Sequence, residues 1–365
     1  MGNKINSENK YLVGLSMLPG VGSRTISKLI SYFGSAESAW KASNNSINTI
    51  NFQSNIKDSI RNFRPKIDLE RITDQFSKQG IKLLNIADDT YPELLKQIYD
   101  SPMLLYYKGN LDWKNSLFFS VVGTRKITPY GKRAIEEIIS ALTLQGLTIV
   151  SGMARGGDTV AHQVAIKNHG KTVAVLGSGV NVIYPPENKR LADEIIQNGA
   201  LLSEFPPDAE PRKQNFPLRN RIVSGISLGV LVVEACEKSG TLITANCALE
   251  QNREVFALPG SIFSPYSKGP AELIKMGAKL VTSVTDILEE LNLESKIQFK
   301  KAKEVIPDSK EEEKILFVLN LHDYVMIDQL IRETALESAI ILSTLTMMEM
   351  KGKVKNLGSG KYSKI

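Results

Sequence analysis

The sequence predicts an α/β protein built on a Rossmann-like, doubly wound, mostly parallel sheet, with a small helical domain before it and a winged helix after it. Three observations predict this. Residues 111–295 alternate short apolar runs with helical patterns, whereas residues 1–110 carry mainly helical patterns. Residues 310–365 show three helical segments and then a glycine-tipped hairpin pattern. At roughly 150 residues per domain, a chain of 365 residues has room for two to three domains.

The strands of the predicted sheet are short runs rich in branched apolar residues. Several are apolar throughout, which is typical of parallel strands that are buried on both faces. The seven predicted strands are Leu117–Val122, Leu147–Val150, Thr172–Leu176, Ala200–Ser203, Leu228–Val233, Glu254–Leu258 and Lys279–Val281. Because helical segments separate most of them, the connections are of the crossover kind that parallel strands need.

The helical region, residues 1–110, is interrupted by a glycine- and proline-containing turn at residues 18–22. With Ser23-Arg24 and the apolar positions beyond, it has the shape of a helix-hairpin-helix, whose turn offers backbone N–H groups to one DNA phosphate. A companion hairpin near residues 52–55 lacks the glycines. The pair is therefore degenerate, and a role in packing alone is the alternative.

Residues 296–309 are polar and aperiodic, and we interpret them as a linker. The predicted core of the winged helix at 310–365 consists of Ile315, Leu316, Val318, Leu319, Leu330, Leu342 and Leu345. The last 15 residues hold five lysines and no acid. A winged helix of this kind serves DNA binding or protein docking, and the sequence leaves both open.

Composition excludes several classes of protein. Two cysteines rule out a disulfide framework, and three scattered histidines predict no metal site. No run approaches the ~18 apolar residues of a membrane span, and the N-terminal segment lacks the apolar core of a signal peptide. We therefore expect a cytoplasmic protein with no membrane partner. The net charge of +6 permits a polyanionic ligand without requiring one.

Glycine-containing loops follow four of the predicted strands. They are Gly123-Thr124-Arg125, the segment from Ser151 to Asp158, Gly177-Ser178-Gly179, and Ser239-Gly240-Thr241. In open parallel sheets ligands bind at the carboxyl ends of the strands, where glycine lets backbone N–H groups approach an anion. Tight turns alone would explain one such loop. Four of them, two carrying arginine, predict a phosphate-binding site.

The segment 211–221 is the second sign of a polyanionic ligand, because it contains four cations, amides and one aromatic residue but no acid. Cations that hold phosphates beside an aromatic ring that stacks on a base suit single-stranded nucleic acid. In the alternative arrangement Phe216 fills the core and the arginines pair with carboxylates. The segment is compatible with both.

Motifs for cofactors and catalysis are absent from the sequence. The dinucleotide fingerprint fails because Val182 stands where its last glycine belongs, and the ATP-binding loop fails at Ala165. His162 follows Asp158 by one helical turn, and we interpret it as structural. Ser178 lacks the frame of a nucleophilic serine. The sequence therefore predicts no cofactor, no metal and no catalytic residue.

The middle region closely resembles the DNA-processing protein A family, DprA, also called Smf. The matching segments follow the family's order: 121–125, 150–158 with Ala161-His162, 174–179 with Tyr184-Pro185, Ser203-Glu204, 216–225, 233–235, 239–245 and 255–260. Residues 310–365 resemble the winged helix that many members carry, and the hairpin region is more weakly similar to the family's N-terminal domain.

The resemblance implies a non-enzymatic recombination mediator. Such proteins bind incoming single-stranded DNA during natural transformation and load RecA onto it, as homodimers built through the Rossmann-like domain. Arg125 and Arg221 are expected to hold phosphate in one pocket. The DNA contacts that the resemblance implies are Gly123, Thr124, Arg125, Ser151, Gly152, Arg155, Gly156, Gly177, Ser178, Lys213, Phe216, Arg219, Asn220, Arg221, Ser239, Gly240 and Thr241.

Two other functions use the same kind of sheet. Enzymes that cleave nucleoside monophosphates at the N-glycosidic bond resemble the chain in the anion loops. They would need a glutamate in the helix after the fifth strand, where only Glu250 stands, near the helix end. A nucleotide sensor whose winged helix regulates transcription is the third candidate. Tight binding of mononucleotides without binding of oligonucleotides would favour either alternative.

Overall fold

The computed structural model describes residues 7–293, 308–319, 322, 324–351, 353–358 and 360–364. The chain divides after Ile287 into two compact units. Most of the predicted linker, residues 296–307, lies outside the described residues, and the domain boundary predicted at residue 110 stays a prediction. Among the helices of the described ranges, none has the length and apolar composition that a membrane span requires.

A nine-stranded sheet forms the centre of the first unit. Its strands are β1 (Lys82–Asn85), β2 (Leu104–Gly109), β3 (Leu117–Val122), β4 (Leu147–Ser151), β5 (Thr172–Val175), β6 (Gly199–Ser203), β7 (Gly229–Val232), β8 (Glu254–Ala257) and β9 (Lys279–Leu280). All seven predicted strands are present, with ends that differ by at most one residue. Strands β1 and β2 arise in the region that the sequence predicts to be mainly helical.

The strand order is β1-β2-β6-β5-β4-β3-β7-β8-β9. The strands from β6 to β9 in this order pair in parallel, while β1 and β2 pair antiparallel at one edge. This confirms the doubly wound fold. From β3 the chain builds outward to β4 on one side and later to β7 on the other, so the switch point lies between β3 and β7.

Fourteen α-helices accompany this sheet in the described residues up to 293. They are α1 (Ser7–Ser16), α2 (Ser23–Phe33), α3 (Ala36–Lys41), α4 (Asn44–Thr49), α5 (Ser54–Phe63), α6 (Leu69–Lys78), α7 (Glu93–Lys96), α8 (Pro129–Leu144), α9 (Gly157–Lys167), α10 (Lys189–Asn198), α11 (Asn215–Gly225), α12 (Gly240–Glu250), α13 (Lys268–Lys275) and α14 (Val284–Glu290). The start of α8 is set locally, because the Thr128 hydroxyl accepts a hydrogen bond from the Gly131 N–H and proline occupies the first turn.

The central strands are buried on both faces, as their unbroken apolar runs predict. Phe119 and Phe256 are completely buried and their rings lie 5.6 Å apart. The N-terminal helices have a separate apolar cluster around Leu12, Leu29 and Ile60, which reaches β2 through Tyr106. The helical region therefore packs on the edge of the sheet formed by β1 and β2.

The second unit is a winged helix. Its described elements are α15 (Lys310–Leu319), β10 (Val325–Met326), α16 (Ile327–Thr334), α17 (Ser338–Met350), β11 (Val354–Gly358) and β12 (Lys361–Lys364). All of its predicted core residues are buried except Leu342, so the prediction for Leu342 is wrong. The buried face of α17 is formed by Ile341, Leu345 and Met348, and Leu342 lies outside it.

Two of the five C-terminal lysines are used inside this unit. Lys351 and Lys353 pair with Asp308 and with the buried carboxylate of Glu312, at 2.5–3.0 Å. These ion pairs join the start of α15 to the segment between α17 and β11. The wing therefore offers less unpaired positive charge than its lysine content predicts.

Candidate nucleic-acid site at the switch point

A cavity of about 610 Å³ opens at the carboxyl ends of β3, β4 and β7. The predicted DNA contacts that line it are Gly123, Thr124, Arg125, Gly152, Arg155, Lys213, Phe216, Arg219, Asn220, Ser239, Gly240 and Thr241. Those that do not line it are Ser151, Gly156, Gly177, Ser178 and Arg221. Three of the four predicted loops thus meet at the cavity, whereas the loop after β5 lies behind Phe216.

The loop after β4 is held from within by Asp158, at the start of α9. Its carboxylate accepts hydrogen bonds from the N–H groups of Gly152, at 3.1 Å, and Ala154, at 3.3 Å. In the neighbouring loop the Thr124 N–H donates to the Glu234 carbonyl at 2.8 Å. These three N–H groups are therefore committed to the protein, and an anion in the cavity has to rely on other donors.

Arg219 lies beneath this loop and is only 4% exposed although it lines the cavity, so its contact with DNA stays a prediction. Its guanidinium donates to the carbonyl oxygens of Gly152, at 2.6 Å, and Val175. A Cβ at residue 152 would lie 2.6 Å from this guanidinium, so any larger residue there would displace the Arg219 side chain. Burial lowers the pKa of Arg219 to about 10, against the opposing effect of the Asp158 charge. Burial likewise raises the pKa of Asp158, which the Arg219 charge opposes.

Arg221 faces away from the cavity, so the prediction that it shares a phosphate pocket with Arg125 is wrong. Its guanidinium contacts Asp100 at 3.0 Å and Glu204 at 2.6 Å, and its side chain is 13% exposed. The reason is helical geometry. Residues two apart on a helix differ by about 200° in direction, so Arg219 and Arg221 lie on opposite faces of α11.

The exposed cations of the cavity are Arg125, Arg155 and Lys213. Arg155 pairs with Glu187, and both side chains are more than half exposed. A pair of this exposure is weak in water and is readily exchanged for a phosphate. The cavity therefore presents positive charge that is not fixed in the protein interior.

Phe216 is both packed against the protein and accessible from the cavity, so it combines the core role and the ligand-facing role between which the sequence does not decide. Its ring packs against Gly177, where a Cβ would lie 2.9 Å from the ring atom Cδ1, and lies 5.7 Å from the ring of Tyr184. It is nevertheless only half-buried and lines the cavity. One part of the ring is thus supported by the protein while another part is open to a ligand.

Several predicted site residues serve the fold instead. The buried hydroxyls of Ser151 and Ser178 donate to the carbonyls of Val121 and Val182. Ser239 caps α12, since its hydroxyl accepts from the Thr241 N–H at 3.2 Å. Beside it, nothing lies within 4 Å of the Cβ position of Gly240. The N-terminus of α12 is therefore open to the cavity.

His162 is completely buried, in agreement with a structural interpretation. Its Nδ1 lies 2.7 Å from the Thr172 hydroxyl, while Nε2 has no hydrogen-bond partner. Burial, and secondarily the charge of Arg219, lowers its pKa to about 3. Within the described residues no group of three or more His, Cys, Asp or Glu could hold a metal ion.

The hairpin between α1 and α2 faces a second cleft, of about 820 Å³, on the other side of α11. The Ser23 hydroxyl donates to Glu204 at 2.7 Å and accepts from the Met103 N–H at 3.1 Å. Asp100 and Glu210 add further negative charge to the cleft. The glycine turn is thus fastened to the α/β body beside carboxylates, which favours its role in packing.

Sequence reasoning missed the two carboxylates that shape the site, Asp158 and Glu234. Glu234 accepts hydrogen bonds from the N–H and hydroxyl of Thr128, at 2.9 and 2.5 Å, and so ties the start of α8 to the end of β7. The sequence does contain a signal for each of them. An acid that directly follows a buried strand, or that opens a helix after glycines, has a backbone N–H group within reach.

The fold and cavity define a class: a doubly wound α/β protein with a glycine-lined, cationic cavity at the switch point, joined to a winged helix. The family model of DNA recombination-mediator protein A matches residues 82–292, and that of the DprA winged helix domain matches residues 300–360. The chain therefore belongs to the DprA family, whose members are also called Smf.

Relatives agree with this assignment. The chain is 46% identical over 237 residues to the DNA processing protein DprA of Bacillus subtilis (strain 168), which covers 65% of this chain and 79% of that protein. The structure of DNA processing protein A from Streptococcus pneumoniae is 41% identical, with a TM-score of 0.68 over 79% of this chain and 98% of that one. The protein from Helicobacter pylori, solved for its single-stranded DNA binding mode, is 30% identical, with a TM-score of 0.53 over 58% of this chain and 95% of that one.

Proposed function

We propose that this protein is a non-enzymatic recombination mediator that binds single-stranded DNA in the switch-point cavity. As a homodimer in the cytoplasm, it would load RecA onto the strand during natural transformation. The observation that carries the proposal is the cavity itself. Exposed Arg125, Arg155 and Lys213 line it together with the partly buried aromatic ring of Phe216. Membership of the DprA family and the single-stranded DNA binding of the H. pylori relative support it.

The contacts divide between charge and stacking. Because the N–H groups of Thr124 and Gly152 are engaged, the phosphates would be held by the three exposed cations and the open N-terminus of α12. Phe216 would stack on one base, since its ring is already supported by Gly177 and Tyr184. A duplex would bury its bases and deny the ring this partner, so single strands would be preferred.

A role without catalysis is supported by what the nearby carboxylates do. Asp158 and Glu234 are buried and hydrogen-bonded to the loops that they position. Cleavage of an N-glycosidic bond would need a carboxylate free to act on the ligand. In α12, where such an enzyme would carry it, Glu250 stands at the last helical residue.

The test compares three ligands on the full chain by fluorescence anisotropy: a single-stranded oligothymidylate, a duplex of the same length and a mononucleotide. The single strand should bind most tightly, with an affinity that falls as salt rises, because phosphate binding releases counterions. Tight mononucleotide binding without oligonucleotide binding would refute the proposal in favour of an enzyme or a sensor.

RecA loading and dimerisation need separate measurements. The protein should shorten the lag of RecA filament assembly on single strands coated with single-strand-binding protein, and light scattering should give twice the chain mass. Single-strand binding with no effect on RecA assembly would refute the mediator role and would indicate a protein that only protects single-stranded DNA.

A further inference from the structure

A loop beside the cavity exposes two large apolar side chains. It connects β8 to α13 and contains Ile262, which is 86% exposed, and Phe263, which is 90% exposed. Adjacent large apolar side chains that are exposed to water to this extent indicate a binding surface for a ligand or a partner. No part of the cavity lining described above includes them.

The backbone of this loop is held in place although its side chains project. The Ser264 N–H donates to the Ser261 carbonyl at 3.0 Å, and the Phe263 N–H to the Ser261 hydroxyl at 3.3 Å. Further along, the Ala235 N–H donates to the Tyr266 carbonyl at 2.8 Å, which fastens the loop to the end of β7. Binding here would cost little ordering of the backbone.

The loop lies next to the cavity. Strand β8 neighbours β7 in the sheet, and the carboxyl ends of both face the same edge. Tyr130, which is half exposed, donates its hydroxyl to the Pro259 carbonyl at 2.6 Å and so joins the start of α8 to this loop. Tyr130 stands only five residues after Arg125. A continuous surface therefore runs from the cavity to Phe263.

The unpaired charge on this surface comes from its α8 side. Residues 123–133 contain four cations and no acid, whereas Lys268, the one charged residue of 259–268, pairs with Glu237 at 3.1 Å. Lys126, Lys132 and Arg133 are exposed, and the described residues give none of the three an ion-pair partner. Such a surface complements a chain of phosphates.

We propose that Tyr130, Ile262 and Phe263 form an outer stacking platform for bases that leave the cavity, with the neighbouring cations holding their phosphates. The proposal rests on the proposed function. It extends the path of the bound DNA from the cavity toward the carboxyl end of the neighbouring strand β8. Single-stranded DNA fits this platform because it supplies exposed base faces and phosphates together. A second copy of the same cationic surface would be repelled.

The test measures affinity for oligothymidylates of about six and about twenty nucleotides, the first near the lower end of the lengths that single-strand sites cover and the second beyond their upper end. Phe263→Ala should leave the short oligonucleotide unaffected and weaken the long one about tenfold, within the range for the loss of one stacked base. Phe263→Tyr should restore the affinity for the long oligonucleotide. The control is Leu144→Ala, which removes a 70%-exposed apolar side chain at the far end of α8 and should change neither.

Arg125→Ala separates the two proposals, because it should weaken binding of both lengths. If wild-type protein binds neither length, the proposed function itself fails. If both bind and Phe263→Ala binds the long oligonucleotide like wild type, only the outer platform is refuted. A change of oligomeric state in Phe263→Ala by light scattering would also refute it, since the loop would then cover a second copy of the chain.

Discussion

Helix α11 separates two clefts that carry similar numbers of arginines but differ in net charge. On the hairpin side, the three arginines Arg24, Arg212 and Arg221 are equalled in number by the carboxylates of Asp100, Glu204 and Glu210. Among the described residues that line the switch-point side, the buried Asp158 is the only carboxylate, while Arg125, Arg155 and Lys213 are exposed. The presence of arginine is therefore a poor guide to a phosphate site. What matters is exposed positive charge in excess of the carboxylates that line the same cleft.

The same comparison distinguishes the two buried arginines of α11. Arg221 satisfies two carboxylates and fastens the N-terminal hairpin region to the α/β body. Arg219 satisfies two carbonyls and supports the loop that forms one wall of the cavity. Both act on the site from a distance, one through the packing of the cleft and the other through the shape of the loop.

The largest effect is expected at Arg219. Arg219→Met should lower the free energy of unfolding by about 3–5 kcal/mol, because it leaves the buried Asp158 carboxylate without its positive neighbour. Urea denaturation measures this. The double variant Arg219→Met/Asp158→Asn should regain part of the loss, since no buried charge then remains. A stable Arg219→Met protein with weakened DNA affinity would instead make Arg219 a direct contact.

Arg221→Met should destabilise by about 2–3 kcal/mol, the scale of hydrogen bonds to charged groups. Its affinity for short single strands should stay within a factor of about two, because Arg221 lies outside the cavity. Arg24 provides the control, since its contact with Asp100 is 3.8 Å and its side chain is 68% exposed. Arg24→Met should change stability by less than about 0.5 kcal/mol. A loss of DNA affinity in Arg221→Met at unchanged stability would contradict the division between the clefts.

Acidification should lower the free energy of unfolding through the buried His162, which lies on the switch-point side. Its folded pKa of about 3 lies below the usual value of 6.5, so between these values the unfolded state binds more protons. The stability contributed by neutral His162 is therefore present at pH 7 and is lost as pH falls below about 6.5, by about 2 kcal/mol at pH 5. His162→Gln should lack this part of the pH dependence. Parallel stability curves for the two proteins would contradict it.

The smallest effect sharpens the comparison most, because it uses adjacent residues. Arg212 lines the hairpin cleft and Lys213 lines the cavity, and both are exposed. Lys213→Ala should weaken single-strand binding by about 1 kcal/mol and reduce the slope of log affinity against log salt by about 0.7. Arg212→Ala should leave the slope unchanged. Equal slopes for the two variants would mean that DNA does not distinguish the clefts.

Much of the site could be predicted because strand ends are visible in the sequence. Apolar runs predict seven of the nine strands, and the doubly wound order then brings the loops after β3, β4 and β7 to one edge. The same rule predicts the loop after β5 at this edge as well. It lies outside the cavity because the ring of Phe216 packs against Gly177 and closes that side.

The sequence by itself determined the alternation of strands and helices, the winged helix and the set of glycine loops, because these depend on local periodicity and on the chain's own turn residues. Only the tertiary structure decided which cations meet solvent. Arg219 and Arg221 are chemically identical and two residues apart, yet helical phase directs one under Gly152 and the other toward Glu204. Exposure depends on what packs against each face of a helix, and those partners come from distant parts of the chain. Phe263 shows the converse, since nothing in its sequence neighbourhood indicates that a phenylalanine would be left in water.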